Sequence, residues 1–281
     1  MRVGVLGAGG VIGRRLLPLL AAAGHEPVAL ARTVGALHGA AAVRRADILD
    51  AGALRQAVAD LDAVVNLATS IPDGRGRGDW AQNDRIRIEG TENLARAIAA
   101  AGRPCRWVQQ SVAMLHQGAV LAHEDCELSG QGVLTSAVLM EAMVQGSPLD
   151  WTLVRGGALY GADTARDAAF FGRIAAGTLR APADAERWIS FVHVDDLAAA
   201  FLQALALPPR RAYIAADDLP TTYARLFARL GVPAQGVDAA VLQPLPSFRV
   251  SNRRLRGCGW VPQTVSVYDW VDAALPARAA A

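Results

Sequence analysis

Three glycines carry the first chemistry in the chain. Gly7, Gly10 and Gly13 follow the apolar run Val3-Gly4-Val5-Leu6 and precede a segment bearing Leu16, Leu17, Leu19 and Leu20. Between a strand and a helix, such spacing gives a tight turn, a backbone free to approach a ligand, and close packing of helix on strand. The free N–H groups at Val11, Ile12 and the helix start then face a phosphate. The expected ligand is a dinucleotide, held by Gly7, Gly10, Val11, Ile12 and Gly13. After the next apolar run, Arg32 stands where an acid would meet ribose hydroxyls. Arg32, helped by Arg14, is read as a partner for a 2′-phosphate, so NADP(H) is favoured over NAD(H).

Other clusters carry weaker chemistry. His116 follows a predicted strand and is either a proton-exchanging imidazole or an exposed loop residue. His123-Glu124-Asp125-Cys126 has metal-ligand residue types, but four neighbours do not converge without an unusual loop, and no metal is expected. In His193-Val194-Asp195-Asp196 the aspartates are read as helix caps. Asp73, Gln110, Ser111 and Thr135 are candidates for orienting a substrate. The loop from Asp73 to Asp79 places Arg75 and Arg77 where a carboxylate or phosphate could meet them.

These residues need a scaffold, and the first half supplies one by alternating short apolar runs with amphipathic stretches. Strands are predicted at Arg2–Leu6, Pro27–Ala31, Ala42–Arg45, Ala63–Leu67, Arg106–Gln110 and Trp151–Arg155. Helices are predicted at Val11–Ala23, Ala51–Ala59, Trp80–Ala101 and Val133–Gln145. Beyond Tyr160 prolines break the pattern, except at Ile189–Leu205, where a strand and helix are expected to rejoin the sheet. The fold class is α/β, a Rossmann-like doubly wound parallel sheet with a small C-terminal substrate-covering domain. Residues 1–160 plus 189–206 are assigned to the first domain, and 161–188 plus 207–281 to the second.

The 281 residues carry a formal charge of +2, so nothing demands nucleic acid or an anionic membrane. No apolar run reaches the length of a membrane span, and a cytoplasmic location is expected. A small molecule is the expected partner, and a homodimer is left open. Cys105, Cys126 and Cys258 are widely spaced, which argues against a disulfide framework. All 28 residues counted as lysine plus arginine are arginines.

Further landmarks join the glycine turn: Ala46-Asp47-Ile48, Asn66-Leu67-Ala68-Thr69, Glu89-Gly90-Thr91-Glu92-Asn93-Leu94, Arg155-Gly156-Gly157 through Tyr160-Gly161, Phe191 to Ala198, and Val250-Ser251-Asn252 leading to Gly259-Trp260-Val261-Pro262. Together they resemble the extended, epimerase/dehydratase-like short-chain dehydrogenase/reductase family over nearly the whole chain. The resemblance implies that Asp47 and Ile48 lie beside the adenine, Ala68 near the cofactor, and Gly156 near the nicotinamide. Met114 and Tyr160 fall on the substrate side.

The same resemblance exposes a departure. The family's usual Tyr-x-x-x-Lys falls at Val133 and Ala137, counting back from Glu141. A chain without lysine cannot form that pair, and its tyrosines are Tyr160, Tyr213, Tyr223 and Tyr268. The family's asparagine falls at Arg87, and its serine at Val112 or Ser111. The acid pair of its dehydratases is replaced by Ala113 and Met114. The expected enzyme is an NADP(H)-dependent reductase of a small, apolar substrate with a non-standard proton donor, Ser111 or His116. A non-redox isomerase or cyclase and a non-catalytic NADP(H) sensor are the alternatives.

Overall fold

The computed structural model describes residues 1–33, 35–72, 78–164, 173, 178, 180, 184–232 and 245–279. The chain separates into two compact units: Met1–Ser111 with Gly130–Arg155 and Ala198–Tyr213, and Val112–Ser129 with Gly156–Leu197 and Ile214–Ala281.

The first unit is built on strands β1 (Arg2–Leu6), β2 (Glu26–Ala31), β3 (Ala42–Arg45), β4 (Ala63–Asn66), β5 (Arg106–Val112) and β6 (Trp151–Gly156). Helices α1 (Gly13–Ala22), α2 (Ala51–Val58), α3 (Trp80–Arg85), α4 (Thr91–Ala100) and α5 (Thr135–Gln145) connect or flank them. With β10 (Arg211–Ala215) they form a seven-stranded sheet in the order β10-β6-β5-β4-β1-β2-β3. Pairs β1–β2, β1–β4, β2–β3 and β4–β5 run parallel. The central β4 buries all four residues, as a strand covered on both faces must. Edge strand β3 buries none of its four and carries Arg44 and Arg45, charges that suit an unpaired edge. Trp107, Leu153, Leu94 and Leu54 share the core that holds helices and sheet together.

The helix expected at Trp80–Ala101 is interrupted by a π turn at Ile86–Gly90. A Cβ at Gly90 would stand 3.0 Å from Ile48 Cγ1, so the glycine lets this turn press on the loop after β3. Helix α4 then packs against both α2 and α5.

The second unit contains β7 (Ala158–Tyr160) parallel to β9 (Phe191–His193), and β8 (Trp188–Ile189) antiparallel to β11 (Thr221–Thr222). Helix α6 (Val194–Ala204) follows β9, and α7 (Tyr223–Arg229), α8 (Arg253–Gly257) and α9 (Val267–Ala279) complete the chain. Of the strand and helix expected at 189–205 to rejoin the main sheet, the helical part from Ala198 does fall in the first unit, and the strand is corrected here. Their strand, β9, pairs with β7, and the seventh strand of the large sheet is β10. Gly157 makes this possible, because a Cβ there would lie 2.7 Å from the Ser190 carbonyl oxygen.

Asp196 is not the helix cap expected of it. Its two carboxylate oxygens accept the N–H groups of Gln263 and Thr264, while the Trp260 indole donates to its carbonyl. The backbone N–H of Asp195 is taken instead by Nδ1 of His193, at 3.4 Å.

Candidate functional site

The turn after β1 is fixed by sterics. Gly7 has φ +75°, and a Cβ there would sit 2.7 Å from the Leu67 carbonyl oxygen; at Gly13 it would sit 2.5 Å from the Gly7 oxygen. Larger residues would push α1 away from β1 and β4. The Gly10 N–H closes the turn on the Gly7 carbonyl at 2.9 Å. No side chain caps α1, and its first turn holds no acidic residue, so its leading N–H groups meet an incoming anion without competition.

The turn opens on a cavity of about 640 Å³ in the first unit. Gly7, Gly10, Arg32, Asp47, Ile48 and Ala68 all lie on its wall. Val11, Ile12 and Gly13 are absent from that wall among the described residues, Ile12 and Gly13 being buried behind it. Asp47 is held by the Leu49 N–H, and the Ala68 N–H donates to Asn66 Oδ1 at 3.1 Å. Asn66 is in turn fixed by Gln109, so both strand-end turns are rigidly set. The volume, the glycines demanded by contact and the uncapped helix together fit a dinucleotide.

Ser111 lies in the same unit, at the end of β5. Its Oγ donates to Glu141 Oε1 at 2.5 Å, and Glu141 forms a forked pair with Arg155, whose Nη2 reaches Oε2 at 2.6 Å. The three side chains are buried. Thr135 is exposed at the start of α5, Val133 is exposed just before it, and Ala137 is buried.

Arg87 was invisible as a functional element in the sequence. It sits in the π turn, buried, and its Nη1 donates to the Val133 carbonyl at 2.8 Å and to Ser136 Oγ at 3.0 Å. Ser136 passes its own proton to Asp84 at 2.5 Å. Burial lowers the pKa of this guanidinium, although Asp84 opposes that effect. Arg87 therefore ties the start of α5 to the π turn. Only an unexpected arginine at the family's asparagine position signalled it.

The second unit holds the other expected residues. His116 is buried rather than exposed, and Met114 is half-buried against the core. Gly156 packs against Leu197, which would lie 3.0 Å from a Cβ there. Tyr160 is fully buried, edge-on to Phe191 and His193, with its hydroxyl donated to Asp217 at 2.9 Å. Burial and the facing carboxylate hold that phenol well above its usual range, while burial pushes Asp217 up to about 8. Asp73 lies outside the described residues, as do Arg75 and Arg77.

The cluster after His123 disperses. Glu124 accepts the Ile214 N–H, Asp125 pairs with Arg254, and the His123 ring and Cys126 sulfur accept N–H groups within their own turn. Among the described residues no three His, Cys, Asp or Glu side chains gather as a metal site. No helix among them is long and apolar enough to cross a membrane.

Compared with known proteins, residues 7–206 match the family model described as NAD(P)H-binding. The chain belongs to that family. It is 36% identical over 263 residues to the 3-diazoavenalumate denitrifying reductase of a Streptomyces species, covering 87% of this chain and 86% of the relative. Among solved structures, UDP-glucose 4-epimerase of Thermotoga maritima has a TM-score of 0.80 at 18% identity, covering 96% of each chain. The Thermus thermophilus UDP-glucose 4-epimerase complex with NAD has a TM-score of 0.76 at 21% identity, covering 98% of this chain and 100% of that one. These two share the fold. The family's nicotinamide dinucleotide accounts for the glycine turn and its cavity.

Proposed function

We propose that the protein is an NADP(H)-dependent reductase acting on a small, apolar and electron-poor acceptor whose reduction needs no protein acid. The observation that carries this reading is the Ser111–Glu141–Arg155 cluster in a chain without lysine. The hydroxyl nearest the family's catalytic serine donates its proton to a buried carboxylate that a guanidinium already neutralises. It is an anchor for β5 and α5, with no proton to lend.

Gly7 to Gly10 and the start of α1 would hold the pyrophosphate, Asp47 and Ile48 the adenine side, and Arg32 a 2′-phosphate. Bound there in reduced form, the nicotinamide supplies a hydride. An acceptor that takes this hydride while expelling a neutral leaving group balances without a proton. An arenediazonium, a cationic group carried on an apolar ring, is such an acceptor: a C–H bond forms, the C–N bond breaks, and dinitrogen departs with the electron pair of that bond. The name of the Streptomyces relative, a diazo denitrifying reductase, supports this substrate class. A sugar nucleotide is a poorer match, since interconverting its hydroxyl and carbonyl groups requires proton transfer at oxygen.

The test is to incubate the protein with an arenediazonium and NADPH deuterated at the transferred position of carbon four. The expected product is an arene carrying deuterium on the carbon that held nitrogen, with one NADPH oxidised per dinitrogen released. Turnover with unchanged cofactor would replace this reading with the isomerase one.

A further inference from the structure

We propose that a second cavity, beside the adenosine end of the dinucleotide pocket, is a two-armed phosphate subsite in which Arg45 acts together with Arg32. The proposal rests on the NADP(H) reading above and names a residue which that reading did not contain.

The cavity, about 600 Å³, is lined by Arg32, Arg44, Arg45, Asp47, Asp50 and Gln56, with Ala53 and Ala57 at its base. Arg32 and Asp47 also line the dinucleotide pocket, so the two spaces adjoin at the end of β2. The strand register brings the two chain segments to the same end of neighbouring strands. Ala31 of β2 stands opposite Arg45 of the edge strand β3, which sets Arg45 beside the residue that follows Ala31. Both Arg32 and Arg45 are exposed to solvent. Arg14, the helper expected from the sequence, lines neither cavity among the described residues.

Charge decides that two arms are needed. Arg44 is already committed, since its guanidinium donates to the Ala57 carbonyl at 2.8 Å and to both oxygens of Asp60, at 2.5 and 2.9 Å. Asp47 and Asp50 bring two carboxyl groups to the cavity, where they accept the N–H groups of Leu49 and Ala53. With Arg32 alone the remaining side chains would be net negative and would repel a phosphate dianion. Arg45 restores balance, and two guanidinium forks can then offer a phosphate short, directional hydrogen bonds. The ligand class is a phosphomonoester on the adenosine ribose, and Arg45 becomes a determinant of cofactor specificity.

The experiment measures NADPH, NADH and adenosine 2′,5′-bisphosphate binding to the full chain by calorimetry, for the natural protein and for Arg32→Ala, Arg45→Ala and Asp50→Asn. Arg45 lies on an exposed edge, and asparagine caps a helix as well as aspartate does, so circular dichroism should show all variants folded. Arg45→Ala is expected to weaken NADPH and the bisphosphate about tenfold or more while leaving NADH within about twofold. Asp50→Asn is expected to tighten NADPH. If the natural protein binds NADH as well as NADPH, the NADP(H) reading itself fails and the subsite with it. If it prefers NADPH and only Arg32→Ala abolishes the preference, the reading stands and the two-armed subsite is overturned.

Discussion

At the scale of single residues, the informative feature is what Ser111 does with its proton. A serine hydroxyl aimed at an open pocket is available to a substrate, whereas one aimed at a buried carboxylate is part of the core. Removing it takes a charge-assisted hydrogen bond from Glu141 and leaves Arg155 as the main partner. Ser111→Ala should therefore lose about 1.5–3 kcal/mol of stability in urea titrations while the single-turnover hydride rate stays within about twofold. A rate collapse with unchanged stability would make Ser111 the proton donor and remove the basis for an acid-free reduction. The serine was named from the sequence, but its role was not legible there. Glu141 and Arg155 are 14 residues apart, and only the packing of α5 over β6 makes them a pair.

At the scale of elements, the joint between β1 and α1 was readable because its constraints are local. Gly7 needs a positive φ and Gly13 must admit the Gly7 carbonyl, and both demands leave glycine as a mark in the sequence. Gly13→Val should displace α1 and weaken NADPH binding by about tenfold or more, read by nicotinamide fluorescence; unchanged affinity would show that the helix does not touch the pyrophosphate. Strands β1 and β3 match their expected bounds to the residue, β1 because an apolar run ending at a glycine turn defines it. β5 continues two residues beyond its expected end, to Val112, so that Ser111 lies within the strand. The pairing of β9 was misread for a different reason. Which neighbour a three-residue strand takes depends on distant backbone, here the opening at Gly157, and no periodicity records it. Arg45 escaped notice likewise, since the cavity it shares with Arg32 forms only once β2 and β3 lie side by side.

At the scale of the whole molecule, the two units carry different kinds of electrostatics. The first pairs its buried Glu141 with Arg155 and meets its buried Arg87 with a carbonyl and a hydroxyl. The second keeps Asp217 buried, with its proton retained up to about 8, facing the Tyr160 hydroxyl. A carboxyl whose folded pKa lies above its unfolded value of 3.8 favours the folded state below that value, and this contribution is lost as pH rises to about 8. Stability should accordingly decline across that window, and Asp217→Asn, which still accepts from Tyr160, should flatten the decline in thermal melts taken at successive pH values. An unchanged slope in the variant would assign the titration to another group.

The π turn at Ile86–Gly90 has a consequence for how the chain can change by insertion and deletion. Such a turn is equivalent to one extra residue lodged in an α-helix, and each residue turns a helix by about 100°. It lets Asn83 of α3 face the loop at Ser70 while Leu94 of α4 faces the core, two orientations that an unbroken helix would not deliver together. Loss of one residue between Ile86 and Gly90 would restore regular hydrogen bonding and rotate everything before it relative to α4. Arg87 would swing off Val133 and Gly90 off Ile48, so the adenine wall and the anchor of α5 would fail together. A stretch that reads as ordinary helix is thus among the places least tolerant of a change in length.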